Sequence, residues 1–182
     1  MAVLIEAFSV VVRIETIEIK YPGGLDAYQN LWPGQDFCED DSITSWVGFR
    51  MLAHAGELVD MLENIGFRYT ADGDFNELAI VEQHEGIILP CNWLEFGHMD
   101  FLGIEGSIPV CKLFGCNSMK VGMTKNWLDA YKQGRRCVYM NKEEAERRLV
   151  FLRNENGCDY FEDAMTGQET YFPRTLIRNV NA

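Results

Sequence analysis

Residues 3–13, VLIEAFSVVVR, set the strongest constraint on what the chain can fold into. Side chains on a strand alternate between two faces. One set here is Val3, Ile5, Ala7, Ser9 and Val11, and the other is Leu4, Glu6, Phe8, Val10 and Val12. Both sets are largely apolar and rich in β-branched residues. The segment therefore predicts a strand covered on both faces, inside a sheet rather than at its edge. A chain of 182 residues can bury such a strand in a full core without staples, as one domain or one domain with an appendage.

The elements that follow read as alternating helices and strands. IETIEIKY suits one or two helical turns, and Pro22-Gly23-Gly24 breaks them. LDAYQNLW (25–32) suits a short helix and ITSWVGFRM (43–51) a strand. GELVDMLENIGF (56–67) is the clearest helix, with Leu58, Met61, Leu62 and Ile65 as its apolar stripe and Gly66 as its C-terminal cap. FRYT returns the chain to the sheet, ELAIVEQ (77–83) is a third strand and NWLEFGH (92–98) a fourth. IPVCKLFGC (108–116) and RCVYM (136–140) read as strands, NWLDAYKQ (126–133) as a helix. NKEEAERRLVFLR (141–153) reads as a helix with a capping box at Asn141 and Glu144, and the last segment as a hairpin around 165–167.

This order predicts an α+β fold: a mixed or antiparallel sheet with helices on one face, ferredoxin-like or βαβββ-like. Two parts are expected, an acidic domain over 1–103 and a smaller, basic-leaning α+β part over 104–182 that ends in the hairpin and shares the same core or has its own.

Charge divides the chain in the same place. Residues 1–100 hold 18 acidic and 4 basic side chains, and residues 101–182 hold 10 and 12. A front half so acidic repels phosphate backbones, so nucleic acid is not an expected partner. It attracts a basic protein or a cation, and it keeps the chain soluble. No apolar run reaches membrane-spanning length, and the first residues lack a basic leader and a cleavage site, so a cytoplasmic protein is expected. The six cysteines form no CxxC pair and are expected as buried or half-buried thiols.

The densest chemistry lies in VEQHEGIILPCNWLEFGH (81–98), which holds two of the three histidines. Glu82 and His84 share a strand face, and Glu95 can lie opposite them on the next strand. A set of one histidine and two carboxylates can hold a divalent ion. In general style this is similar to the vicinal-oxygen-chelate metalloenzymes, whose ligands also lie on strands, although no motif matches at fixed spacing. The plainer reading is a hydrated sheet face. No phosphate-loop, dinucleotide, nucleophile-elbow or zincin motif occurs, and neither a catalytic residue nor a cofactor is expected. Candidate interaction residues are the cluster Glu39, Asp40 and Asp41, with Trp32 and Trp127 as the aromatics expected at the surface.

LIEAFSVVVR, KYPGG and CNWLEFGH, with VGFRM, together resemble an uncharacterised family of bacterial cytoplasmic proteins with no assigned function. The resemblance covers most of the chain. It implies a bacterial, cytoplasmic, two-part α+β protein and no activity. The leading expectation is a non-catalytic interaction or regulatory module, immunity-like, whose acidic surface engages a basic partner. The alternative is a small-molecule-binding or divalent-metal-dependent enzyme with its site on strands 77–98. Homo-oligomerisation stays open.

Overall fold

The computed structural model describes residues 1–32, 35–49, 51–104, 106–124, 127–133, 146–155, 158–164 and 167–173. Its elements run β1 (Ala2–Leu4), β2 (Phe8–Arg13), α1 (Ile14–Lys20), α2 (Gly24–Tyr28), β3 (Asp36–Glu39), β4 (Ile43–Phe49), α3 (Leu52–Asn64), β5 (Leu78–Glu82) and β6 (Gly86–Ile87). They continue through β7 (Leu94–Asp100), β8 (Ser107–Leu113), β9 (Val121–Gly122), α4 (Trp127–Lys132), β10 (Leu149–Glu155), β11 (Cys158–Asp163) and β12 (Gln168–Pro173). The class is α+β, as the sequence predicts.

The apolar segment 3–13 forms two strands in two different sheets. β1 lies inside a four-stranded sheet of order β7-β8-β1-β9, and β2 inside a five-stranded sheet of order β3-β4-β2-β5-β6. Between them the chain turns at Glu6 and Ala7, and Ala7 takes φ +50°. The polar backbone exposed by this turn is satisfied locally. Ser9 Oγ accepts the Glu6 N–H and donates to the Glu6 carbonyl, both at 3.1 Å. The Gly48 amide donates to the same carbonyl at 2.9 Å, and the Ala7 amide donates to Gln83 Oε1 at 2.7 Å.

The five-stranded sheet is antiparallel throughout. α1 and α2 connect β2 to β3, and α3 connects β4 to β5. This is the βαββαβ connection in the ferredoxin-like strand order, with β6 added at the edge. On one face Phe8, Val10, Val12, Trp46, Leu78 and Ile80 pack on Ile17 of α1, Tyr28 of α2, and Leu58, Val59 and Leu62 of α3. On the other face Val11, Val47, Ala79 and Val81 pack on Val3, Leu94, Ile108 and Val110 of the second sheet, joined by Trp127 of α4. The result is three layers, helices over sheet over sheet. β8, β9 and α4 complete the core around β1. The division expected near residue 103 therefore runs through the β7–β8 hairpin.

Several elements differ from expectation for identifiable reasons. α3 starts at Leu52, four residues early, and runs to Asn64, with Gly66 closing its C-terminal end as predicted. Gly66 sits at φ +99°, and the amides of Gly66 and Phe67 return to the carbonyls of Glu63 and Leu62 at 2.9 and 3.0 Å. FRYT (67–70), expected to return the chain to the sheet, pairs with no described strand and instead leads through turns to residue 77. Asn76 ties them, accepting the Thr70 amide at 2.6 Å and donating to the carbonyls of Thr70 and Pro90 at 3.0 Å each. Of the helix expected over 141–153, residues 146–148 are helical, and from Leu149 the chain runs as strand β10, which pairs with β11. Leu149-Val150-Phe151-Leu152 is as good a strand as a helix stripe, and helical charge pairs of ~0.5 kcal/mol do not outweigh a ladder. The capping signals at 141–145 and the strand expected at 136–140 lie outside the described residues. β11 and β12 form the expected hairpin, and Arg153 of β10 holds Glu169 of β12 with two contacts at 2.6 and 2.8 Å. No described helix is long and apolar enough to cross a membrane.

The turn at Ala7 makes a direct prediction. Ala7 is buried with a left-handed backbone, where a Cβ costs ~1 kcal/mol and a β-branched side chain more. In chemical denaturation Ala7→Gly should hold or raise stability by up to ~1 kcal/mol, and Ala7→Val should lose ~2–3 kcal/mol.

Candidate functional site

The carboxylates and imidazoles of residues 82–98 do not meet as the alternation of strand faces suggested. β7 pairs with β8 in the second sheet and not with β5. Glu95 is therefore carried away from Glu82 and lies opposite Lys112, with its Oε2 3.5 Å from that ammonium. Glu82 is 1% exposed, and its Oε2 accepts the amides of His84 and Glu85 at 2.8 and 2.6 Å. It caps the β5–β6 turn. Among the described residues no three His, Cys, Asp or Glu side chains gather at a point that could hold an ion.

A different group stands beside Glu82: His84, whose ring meets Gln83 and feels the charge of His98 on β7. Gly86, at φ +84°, lets Phe96 of β7 lie against β6: a Cβ there would be 2.9 Å from the Phe96 ring. Phe96 in turn stands edge-on to His98, with ring centroids 5.2 Å apart. Burial, and then the charge on His98, lowers His84 to a pKa of about 4, and burial lowers His98 as well. Burial raises Glu82, against the pull of the two amides it accepts.

Gln83 fixes the proton arrangement. Its Oε1 accepts the Ala7 amide, so its NH₂ faces His84 Nε2, 2.8 Å away. That nitrogen is then the acceptor and the His84 proton sits on Nδ1. A second proton on His84 would set two donors against each other. The corner is thus a neutral-histidine lock on the turn between β1 and β2. A single sequence hides this, because the approach of Phe96 to Gly86 depends on β7 joining the other sheet.

The expected interaction residues divide. Glu39 and Asp41 are exposed, and Trp32 is half-buried, edge-on to Phe49 at 5.9 Å. Asp40 is turned inward, 7% exposed, where Oδ1 accepts the amides of Ser42 and Ile43 at 2.5 and 2.8 Å and Oδ2 lies 3.4 Å from the Met1 amino group. Trp127 is 1% exposed and stacks on Tyr131 at 5.7 Å in the core, so it is no surface anchor. Aromatic spacing on a six-residue helix does not distinguish its two faces, and the inner one won.

The surface carries what these residues do not. Of the 18 acidic residues in 1–100, only Glu6, Asp40 and Glu82 are buried. On α3 Glu57, Asp60 and Glu63 all stand exposed, while Ala55, Leu58, Val59 and Leu62 face the sheet. No lysine or arginine occurs between Met51 and Phe67. The outward face of α3 is thus uniformly negative, and sequence spacing alone locates it. Compared with protein-family profiles, with curated proteins and with solved structures, the chain matches none.

His84 gives a pH prediction whose sign can be worked out. Its folded pKa of about 4 lies below the ordinary 6.5, so the unfolded chain takes the proton first. The stability that depends on neutral His84 is full above about pH 6.5 and is lost as pH falls toward 4, up to ~3 kcal/mol. Glu82, being raised, works the opposite way. Comparing wild type with His84→Gln, which keeps an acceptor for Gln83, isolates the histidine. Urea titrations at pH 7 and at about pH 4.5 should show wild type losing ~1–3 kcal/mol more than the variant on acidification.

Proposed function

We propose that the protein is a non-catalytic interaction module that uses its acidic face to engage a basic partner, in the manner of an immunity or regulatory protein. The observation that carries this reading is the outward face of α3. Glu57, Asp60 and Glu63 repeat at a three-residue spacing, so they line one side of the helix. Neighbouring carboxylates on one helix face repel one another. Glu63 also lies in the last turn, where the helix dipole is negative and that turn has no basic residue of its own. Such placement costs ~0.3–1 kcal/mol of helix stability. A face that is less stable than a mixed-charge one is what a surface selected for a cationic partner looks like.

The exposed Glu39 and Asp41 and the half-exposed Trp32 lie around the edge strand β3 of the same sheet. They extend the negative field beyond α3. Cys38, Cys91, Cys111 and Cys116 are free thiols, which supports a reducing, cytoplasmic setting.

The test separates binding from folding. Immobilised wild type and the triple variant Glu57→Lys, Asp60→Lys, Glu63→Lys are challenged with the same lysate at ~0.05 M and ~0.5 M salt. A basic protein held by wild type at low salt, released at high salt and absent from the variant is the expected outcome. Equal retention by both proteins, or none by wild type at low salt, defeats the proposal. Glu63→Lys alone should raise stability by ~0.3–1 kcal/mol while weakening capture, a combination that a purely structural role for Glu63 does not give.

A further inference from the structure

The first hundred residues hold four basic side chains, Arg13, Lys20, Arg50 and Arg68. Three of them line one cleft of about 380 Å³ between α1, the 67–77 turns and Trp93. That size suits a small molecule. In a half so rich in carboxylates, such a gathering calls for a local explanation.

Two of the three cations are committed to the wall. Lys20 Nζ reaches Glu77 Oε2 at 2.6 Å and the Gly66 carbonyl at 2.7 Å. Arg68 places Nη2 3.6 Å from Glu77 Oε1 and its backbone N–H 3.0 Å from Oε2. Glu77 therefore serves both cations. Arg13 is different. Its guanidinium lies 5.0 Å over the Trp93 ring, and among the described residues it has no carboxylate partner.

The stack under Arg13 is held rigidly. Trp93 is 7% exposed and donates Nε1–H to the Asn76 carbonyl at 2.6 Å. Asn76, 2% exposed, is pinned to Thr70 and Pro90 by its side chain. A guanidinium held over an indole face spends none of its N–H donors on the ring, and those donors match the two oxygens of a carboxylate. Beside it, Ile19 and Phe75 line the cleft while 74% and 67% exposed, an apolar rim with no cover among the described residues. Arg68 sits over Phe75 at 5.3 Å and holds it in place.

The charges also decide the class of anion. Glu15 and Asp74 line the same cleft and are exposed. With Glu77 they balance the three cations, so a multiply charged phosphate gains little beyond Arg13 and meets two free carboxylates. We propose that this cleft binds a small aromatic monocarboxylate, its carboxylate on the Arg13 guanidinium and its ring against Ile19 and Phe75. The site is separate from the α3 face and does not depend on it.

Benzoate is the probe, with benzamide and phenyl phosphate as controls of equal shape. In ¹H–¹⁵N spectra of the full chain, benzoate at millimolar concentration should shift the Trp93 indole resonance, identified by its loss in Trp93→Phe. Benzamide should not shift it, and phenyl phosphate should bind more weakly than benzoate. Arg13→Gln should weaken benzoate at least tenfold, the loss expected for a charge-assisted pair. Ile19→Glu, at an exposed position that cannot disturb the core, should weaken it several-fold by placing a negative charge at the rim. No benzoate shift at Trp93, or binding unchanged in Ile19→Glu and Arg13→Gln, overturns the proposal. Phenyl phosphate binding more tightly than benzoate overturns the assignment of a monocarboxylate.

Discussion

Where the chain leaves one sheet and enters the other at Glu6 and Ala7, backbone amides and carbonyls lose their ladder partners in a dry interior. An unsatisfied buried amide or carbonyl costs ~1–3 kcal/mol, so this corner can exist only if other groups supply those bonds. They do, from three separate places in the chain: Ser9 Oγ for the Glu6 amide, the Gly48 amide for the Glu6 carbonyl, and Gln83 Oε1 for the Ala7 amide. Because Gln83 follows β5 and Gly48 is in β4, the corner also sets how the two sheets sit on each other. The His84 contact then bears on architecture, since it orients the amide that orients the corner.

That arrangement explains why an acidic surface and a formed interior coexist. The buried carboxylates Asp40 and Glu82 each have one oxygen that accepts two backbone amides at a turn, which offsets part of the cost of burying them. Most of the other acidic side chains in the front half point outward. Their mutual repulsion is a surface term, moderated by water and salt, and it leaves the two apolar layers untouched. The basic residues follow a complementary economy. Three of the four in this half converge beside α1, two of them around Glu77, and α3 itself carries no lysine or arginine.

The ferredoxin-like half was legible because its signals are local. The stripe of α3, the Gly66 cap and the alternation in β4 and β5 each depend on a few neighbouring residues. The second sheet was not legible. The apolar pattern of 3–13 fits one long covered strand as well as two short ones, and what breaks it is Ala7, a residue with no turn preference. Once β1 is assigned to its own sheet, β7 must pair there too, and the face-sharing logic that joined Glu82, His84 and Glu95 fails with it. Trp127 was misplaced for a related reason: its core cluster gathers strand residues from across the chain, from Val3 to Cys111.

The same reasoning shows why the cleft by Arg13 escaped a motif search. Arg13 ends β2, Lys20 ends α1, Arg68 and Phe75 lie in turns, and Trp93 precedes β7. No short spacing unites them. What does unite them is the end of the five-stranded sheet, where β2 hands over to α1 and β5 begins. In open sheets with helices on one side, the strand ends are where backbone separates and side chains from several elements can converge. Charge sparsity is the signal that the sequence did carry. When a segment has few cations, asking where each one goes is more informative than asking which motif they spell, and here, among the described residues, the partner of Arg13 is an indole face and not an anion.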